Sequence, residues 1–294
     1  MRQSTRYSQV VIAGYGDIGR RVSCLLPPET DLLTLSRSTL FKTSPDTLNH
    51  HKLDLDAKSI KLPPIQTGAL IFYFIPPPAN RELDLRAGKF LSAMEDEKIK
   101  PSRIVAISTS GVYGDRKGGF VSEDDVPNPQ TDRARRRLDM ERQFKLWCTQ
   151  QKTSLIILRV GGIYGPGRLP INRIKNGVPV LHEHIAPRTN RIHAGDLAKI
   201  CIASSLVEHD FRIYNVSDGQ DSNMTEYFNT IADYFDLPRP PQVDWDEIEQ
   251  RPGSNMISYL RESRHLITSR MHAELDIELE YPNLLTGLTS CKLK

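Results

Sequence analysis

Three glycines, spaced Gly14-x-Gly16-x-x-Gly19, follow the apolar run Gln9-Val10-Val11-Ile12-Ala13 directly. A helically spaced set, Ile18, Val22, Leu25 and Leu26, comes next. Between a strand and a helix each glycine has its own use. The first permits the tight turn, the second lets a pyrophosphate approach the backbone, and the third lets the helix lie close on the strand. Tyr15, Asp17 and Ile18 complete the loop, whose helix N-terminus would offer free N–H groups to phosphate. The pattern predicts a dinucleotide site. An acidic residue about 20 positions on would read the ribose 2′-hydroxyl of NAD. Here that place reads Thr34-Leu35-Ser36-Arg37-Ser38, with no carboxylate. Arg37 can pair with a 2′-phosphate and Ser36 can add a hydroxyl, which favours NADP(H) over NAD(H).

Other clusters suggest less chemistry. His182-Glu183-His184 lacks the i,i+4 histidine spacing of a zinc helix and has no cysteine or aspartate nearby to complete a site, so it reads as a polar loop and no metal is expected. His193 reads as a packing or hydrogen-bonding histidine. Arg168, Arg173, Lys175, Arg188 and Arg191 make the stretch after Gly165 basic. That stretch suits either an anionic small-molecule substrate, such as a phosphorylated sugar, or a solvated surface.

These residues need elements to hold them. Strands are expected at Gln9–Ala13, Asp31–Leu35, around Lys52-Leu53-Asp54, at Ala69–Ile75, Arg103–Ile107 and Leu155–Val160. Helices are expected at Leu83–Met94 and Arg133–Gln150. Buried strands alternating with helices mean parallel βαβ units, hence an α/β, Rossmann-type doubly wound sheet. Beyond Gly165 the pattern loosens. A helix is expected at Asp196–Val207, a strand at Phe211–Val216 and a helix at Thr225–Phe235. Residues 1–165 are read as a dinucleotide-binding domain. Residues 166–294 are read as a smaller substrate-binding region partly interwoven with the first sheet.

The net charge of +3 on 294 residues is too small to suggest a nucleic-acid surface. Cys24, Cys148, Cys201 and Cys291 are scattered without a CxxC pair and read as reduced thiols of a cytoplasmic protein. The apolar stretch Ala69–Ile75 is a strand's length, well short of a membrane span.

Several segments, in order, resemble the extended short-chain dehydrogenase/reductases, the group that includes nucleotide-sugar epimerases and dehydratases. They are the glycine loop, Asp54-Leu55, Ile107 to Gly114, Arg159 through Ile163 to Arg168, Arg191 to Ala198, and Tyr214-Asn215-Val216-Ser217. The resemblance implies that Asp54-Leu55 contacts the adenine and that Thr109 occupies the family's Ser/Thr position. Glu141 matches the glutamate four residues after the family's catalytic lysine. Counting back puts Arg137 at the lysine place and Arg133 at the tyrosine place, so the YxxxK pair is absent. Asp84 stands for the supporting asparagine. The chain is similar to an atypical branch with an altered tetrad, that of bacterial putative epimerases.

An arginine cannot shuttle the tyrosine's proton, because its pKa lies above about 12. Arg137 can still bind the nicotinamide ribose, Thr109 can hydrogen-bond a substrate carbonyl, and Tyr113 is the remaining tyrosine that can supply a proton. The competing account of the arginine run is a solvated helix face held by i,i+4 pairs, Arg135 with Asp139 and Arg137 with Glu141. Two functions stay open. One is an NADP(H)-dependent oxidoreductase or epimerase/dehydratase-like enzyme. The other is a non-catalytic NADP(H)-binding sensor or regulatory protein.

Overall fold

The computed structural model describes residues 7–38, 48–79, 81–250 and 260–292. The chain runs β1 (Val10–Ala13), α1 (Asp17–Ser23), β2 (Leu32–Ser36), β3 (Asn49–Lys52), β4 (Leu70–Tyr73), α2 (Leu85–Asp96) and β5 (Arg103–Thr109). It continues through β6 (Phe120–Val121), α3 (Asp132–Gln151), β7 (Ser154–Val160), β8 (Gly162–Tyr164), α4 (Ile171–Lys175) and β9 (Val180–Leu181). Next come β10 (Arg188–Thr189), β11 (Arg191–His193), α5 (Ala194–Leu206), β12 (Phe211–Val216), β13 (Ser222–Asn223) and α6 (Met224–Tyr234).

Seven of these strands form one parallel sheet in the order β12-β7-β5-β4-β1-β2-β3. Its central strands β1 and β4 are apolar runs because helices cover both faces. Val11 and Ala13 of β1 point into one core with Phe90 of α2 and Phe144 and Trp147 of α3. Val10 and Ile12 point into the other, with Val22 of α1 and Leu197 and Ile200 of α5. This is the Rossmann-type α/β fold. The strand order turns back between β1 and β4, so a crevice opens at their carboxyl ends. The expected strand at Phe211–Val216 joins this first sheet, pairing with β7 in register from Phe211↔Leu155 to Val216↔Val160.

Two expectations shift. The third strand lies at Asn49–Lys52, ahead of Lys52-Leu53-Asp54, because that segment pairs with Leu33–Ser36. Leu53 and Leu55 then leave the sheet edge and turn inward, 6% and 3% exposed. On α3 neither expected i,i+4 pair forms. Arg135 pairs with Asp132 at 2.7 Å, and Asp139 accepts from the Asp84 backbone N–H at 2.9 Å and from Gln143. Glu141 is taken by Arg159 at 2.8 Å and Ser108 at 2.5 Å. Glu141 is drawn to tertiary partners on the sheet against which α3 packs, whereas Arg135 turns to Asp132 on its own helix.

The ends of α3 are locally encoded. Thr131 caps the first turn by accepting from the Ala134 N–H at 3.3 Å, and Lys152 closes the helix in the left-handed region at φ 56°. At α6, Asn223 and Glu226 make a reciprocal capping box. Among the described residues no helix is long and apolar enough to cross a membrane.

Candidate functional site

The glycine loop crosses the carboxyl end of β1 and is tied to β2, since the Gly14 and Tyr15 N–H groups both donate to the Leu35 carbonyl, at 2.9 and 3.0 Å. Gly14 has φ +99°, and a Cβ there would come within 2.8 Å of the Phe74 backbone. A Cβ on Gly19 would sit 3.0 Å from the Gly14 carbonyl and from Ile12. Gly16 differs: its φ is −95°, and a Cβ would meet nothing closer than the Gly14 carbonyl at 4.0 Å. Its face is open toward a groove. The cradle therefore fits a dinucleotide, with two glycines required by the fold and the middle one leaving room for a ligand.

Gly14, Tyr15 and Gly16 line this groove, joined by Ser36, Arg37 and Leu55. Ile18 and Gly19 turn into the protein, and Asp17 spends its carboxylate on Arg168 at 2.6 Å and Arg21 at 3.0 Å. Asp54 is exposed, accepts from the Asp56 N–H at 3.0 Å and does not line the groove; Leu53 takes the place beside Leu55. Arg37 is 63% exposed on its side chain, with Asp56 4.0 Å away. Sequence reasoning missed Arg20 and Arg86. Arg86 forks onto Asp56 at 2.8 and 2.5 Å, which holds the Asp56 carboxyl below the ordinary range. No local pattern marks Arg86, because its partner lies 30 residues away.

Pro76 lines both this groove and a second cleft, which is bounded by Thr109, Gly111 and the start of α3. Arg137 donates to the Ile75 carbonyl at 3.1 Å. Burial lowers its guanidinium below the usual value, and Asp84 and Tyr73 oppose that shift. Thr109 lines the cleft and caps the following turn, its Oγ1 accepting from the Gly111 N–H at 3.2 Å. The structure thus brings Thr109 and Arg137 together.

It does not bring Tyr113. That side chain is fully buried, donates to Asn215 Oδ1 at 2.7 Å and lies under Arg159, 4.9 Å from its ring centre. Burial first, and neighbouring carboxylates after it, push its phenol up to about 12. The expectation that Tyr113 supplies a proton is corrected on this geometry. Asp84 is also buried, and it caps α2 by accepting from the Arg86 and Ala87 N–H groups, each at 3.1 Å. Burial raises its carboxyl above the ordinary range.

The cleft is arginine-rich. Arg133, Arg136 and Arg137 face it from α3. Arg168, Arg188 and Arg191 face it from the basic stretch, whereas Arg173 packs over Phe228 and Lys175 is exposed. Arg191 stacks on Tyr227 at 3.8 Å, and its burial pulls the guanidinium down to about 10. Glu262 and Arg264 complete the wall, and nothing in the sequence marks them. Glu262 is the one carboxylate among the described residues lining the cleft, and no tyrosine, lysine, histidine or cysteine lines it among those residues. His193 stays structural: Nδ1 accepts from the Gly195 N–H at 3.2 Å and Nε2 meets Ser290 at 3.0 Å.

Comparison with known proteins agrees with this architecture. Residues 88–217 match the model of the NAD dependent epimerase/dehydratase family. The uncharacterized protein y4nG of Sinorhizobium fredii is 30% identical over 139 residues, covering 44% of this chain and 34% of that protein. The match thus spans about a third of that relative's length. Among solved structures, a functionally unknown conserved protein from Silicibacter pomeroyi has 25% identity and a TM-score of 0.75, covering 95% of this chain and 96% of that one. MoeE5, in complex with UDP-glucose and NAD, has 20% identity and a TM-score of 0.73 over 96% and 97% of the two chains. UDP-glucuronic acid 4-epimerase from Bacillus cereus, in complex with NAD, has 14% identity and a TM-score of 0.71 over 96% of each. The last two share the fold. Residues 88–217, less than half of the chain, carry the match to that family model, and the chain as a whole shares the Rossmann-type α/β fold of these solved structures.

Proposed function

We propose that the chain binds a nicotinamide dinucleotide, NADP(H) in preference to NAD(H), along the Gly14–Gly19 groove. It uses that cofactor on a nucleotide sugar held in the adjoining cleft, as an oxidoreductase or an epimerase/dehydratase. The observation that carries this reading is the adjacency of two hollows that share Pro76 as a wall, the first open at Gly16 and the second lined by guanidinium groups. The complexes of MoeE5 and of the Bacillus cereus epimerase with NAD support it by fold.

In this reading Leu53 and Leu55 flank the adenine, and Ser36 and Arg37 receive the ribose 2′-phosphate. A nicotinamide cofactor held there would supply hydride transfer to or from a substrate carbon. Arg137, held by the Ile75 carbonyl, orients the adjoining ribose and contributes fixed positive charge. Thr109 presents its hydroxyl to the substrate oxygen. The segment from residue 166 onward supplies Arg168, Arg188, Arg191, Glu262 and Arg264 as the substrate-binding region.

A second reading, a sensor that binds cofactor without turnover, is favoured by the absence of a tyrosine or lysine from the described residues lining the cleft. Titration with NADPH and NADH, followed by single-turnover mixing of bound NADP+ with UDP-glucose or UDP-glucuronic acid, separates the two. Cofactor reduction marks the enzyme. Tight cofactor binding with no hydride transfer to any nucleotide sugar marks the sensor, and absence of cofactor binding removes both.

A further inference from the structure

Ser36, Arg37 and Ser38 line the glycine-loop groove at the end of β2. The parallel ladder with β3 reaches Ser36, which stands opposite Lys52, so Arg37 and Ser38 lie past the last paired position. The turn they make is held by side chains. The Ser36 hydroxyl donates to the Ser38 carbonyl at 2.9 Å, and His50 Nε2 of β3 meets the same carbonyl at 3.1 Å. The other ring nitrogen of His50, Nδ1, lies 2.9 Å from Thr34 Oγ1.

A carbonyl can only accept, so Nε2 carries the proton and Nδ1 accepts from the Thr34 hydroxyl. Thr34 is fully buried and is the register partner of His50 in the ladder. The imidazole therefore runs from an anchored point in the sheet out to the residue just past Arg37. It also stands beside the cradle, 6.3 Å from the Tyr15 ring, centre to centre. His50 is not itself among the described residues lining the groove, so it acts there through the turn.

Arg37 depends on such support. Its side chain is 63% exposed, and Asp56, 4.0 Å away, is already forked by Arg86. A long exposed side chain presents its charge at a set place only when its backbone is set. The Ser38 carbonyl, drawn by two donors, closes the turn in which Arg37 is the middle residue.

We propose that His50 is a positioning residue for dinucleotide selectivity: through the Ser38 carbonyl it holds the 36–38 turn where that turn receives a ribose 2′-phosphate. This rests on the NADP(H) reading of the same groove. The clamp bears on the one phosphate that distinguishes NADPH from NADH and leaves the glycine-loop contacts common to both.

Two amides separate the roles of the ring nitrogens. Glutamine carries its amide nitrogen about as far out as Nε2, and asparagine only about as far as Nδ1. His50→Gln keeps a donor for Ser38, whereas His50→Asn keeps a partner for Thr34 alone. Fluorescence titration of the full chain and both variants with NADPH and NADH tests the proposal. The expected result is a wild-type preference for NADPH. In His50→Asn NADPH affinity falls about three- to tenfold while NADH stays within about twofold, and His50→Gln stays within about twofold of wild type for both. An unchanged NADPH preference in His50→Asn overturns the proposal and leaves the NADP(H) reading standing. So does an equal loss of both dinucleotides, which marks an effect on the fold, and so does a His50→Gln variant as impaired as His50→Asn. A wild-type chain that binds neither dinucleotide, or shows no preference for NADPH, overturns the proposal together with that reading.

Discussion

Arg168 Nε donates to Asp17 Oδ2 at 2.6 Å, joining the glycine loop to a segment 151 residues later. The bond ties a wall of the arginine-rich cleft to the glycine loop. Both side chains are about a third exposed, 32% and 33%, so the pair adds less than about 1 kcal/mol to stability. Arg168→Met should leave the melting temperature within about 2 °C of wild type. Cofactor affinity should fall severalfold, by more at low salt than at high salt. Fluorescence titration with NADPH at two ionic strengths checks this, and unchanged affinity at both would detach the clasp from cofactor binding.

Arg37 stands at the end of β2 where a ribose-reading carboxylate is absent. Among the described residues Asp56 is its acidic neighbour, 4.0 Å away and already forked by Arg86. Arg37→Ala should weaken NADPH about 10- to 100-fold, the equivalent of one or two charge-assisted hydrogen bonds, and leave NADH unchanged. Equal loss for both cofactors would place Arg37 away from the 2′-phosphate.

Asp218 is 9% exposed, and burial raises its carboxyl to about 6 against the opposing Gln220 N–H and Arg191 charge. For an acid with a raised folded pKa, the folded state holds an extra proton between about pH 4 and 6. The cost of burying the ionised form is then complete above pH 6 and absent below about pH 4. Asp218→Asn should be more stable than wild type at pH 8, by at most about 3 kcal/mol, with no difference at pH 4. Denaturant melts at the two pH values test the sign. A variant less stable at pH 8 would mean the charge is needed there.

Glu141 and Arg159 are 5% and 4% exposed on their side chains and bonded at 2.8 Å, with Ser108 donating to the same carboxylate. Glu141→Ala leaves a buried guanidinium without its anion and should cost about 3–5 kcal/mol. A loss under about 1 kcal/mol in urea unfolding would show that water replaces the carboxylate.

Much of the fold was legible because burial on both faces writes strands as apolar runs, as at Val10–Ala13 and Leu155–Val160. The glycine loop was legible because its three glycines stand within six residues between a strand and a helix, although Gly14 also answers to the Phe74 backbone, 60 residues on. Local pattern failed where partners are distant. Lys52-Leu53-Asp54 reads as a strand, yet pairing with β2 uses Asn49–Lys52 and turns Leu53 inward. Arg137 and Glu141 carry an ideal i,i+4 spacing, yet Glu141 belongs to Arg159 and Arg137 to the Ile75 carbonyl. Tyr113 sits in a motif-like segment, but Asn215, 102 residues on, takes its hydroxyl. Glu262 and Arg264 have no motif, and their segment is held at the cleft by distant partners, Arg264 by the Gly114 carbonyl 150 residues earlier and by Asn190.

We propose that a dinucleotide lies on the open face of Gly16. Gly16→Val puts a side chain into that space at an ordinary φ, whereas Gly14→Val meets the Phe74 backbone at φ +99° and should destabilise the fold. The measurement is NADPH affinity and melting temperature of the wild-type chain and Gly16→Val side by side. The account predicts saturable NADPH binding to wild type, loss of at least 100-fold in Gly16→Val, and matching melting temperatures. Gly16→Val binding NADPH as tightly as wild type, or a wild-type chain that binds no nicotinamide dinucleotide, would contradict it.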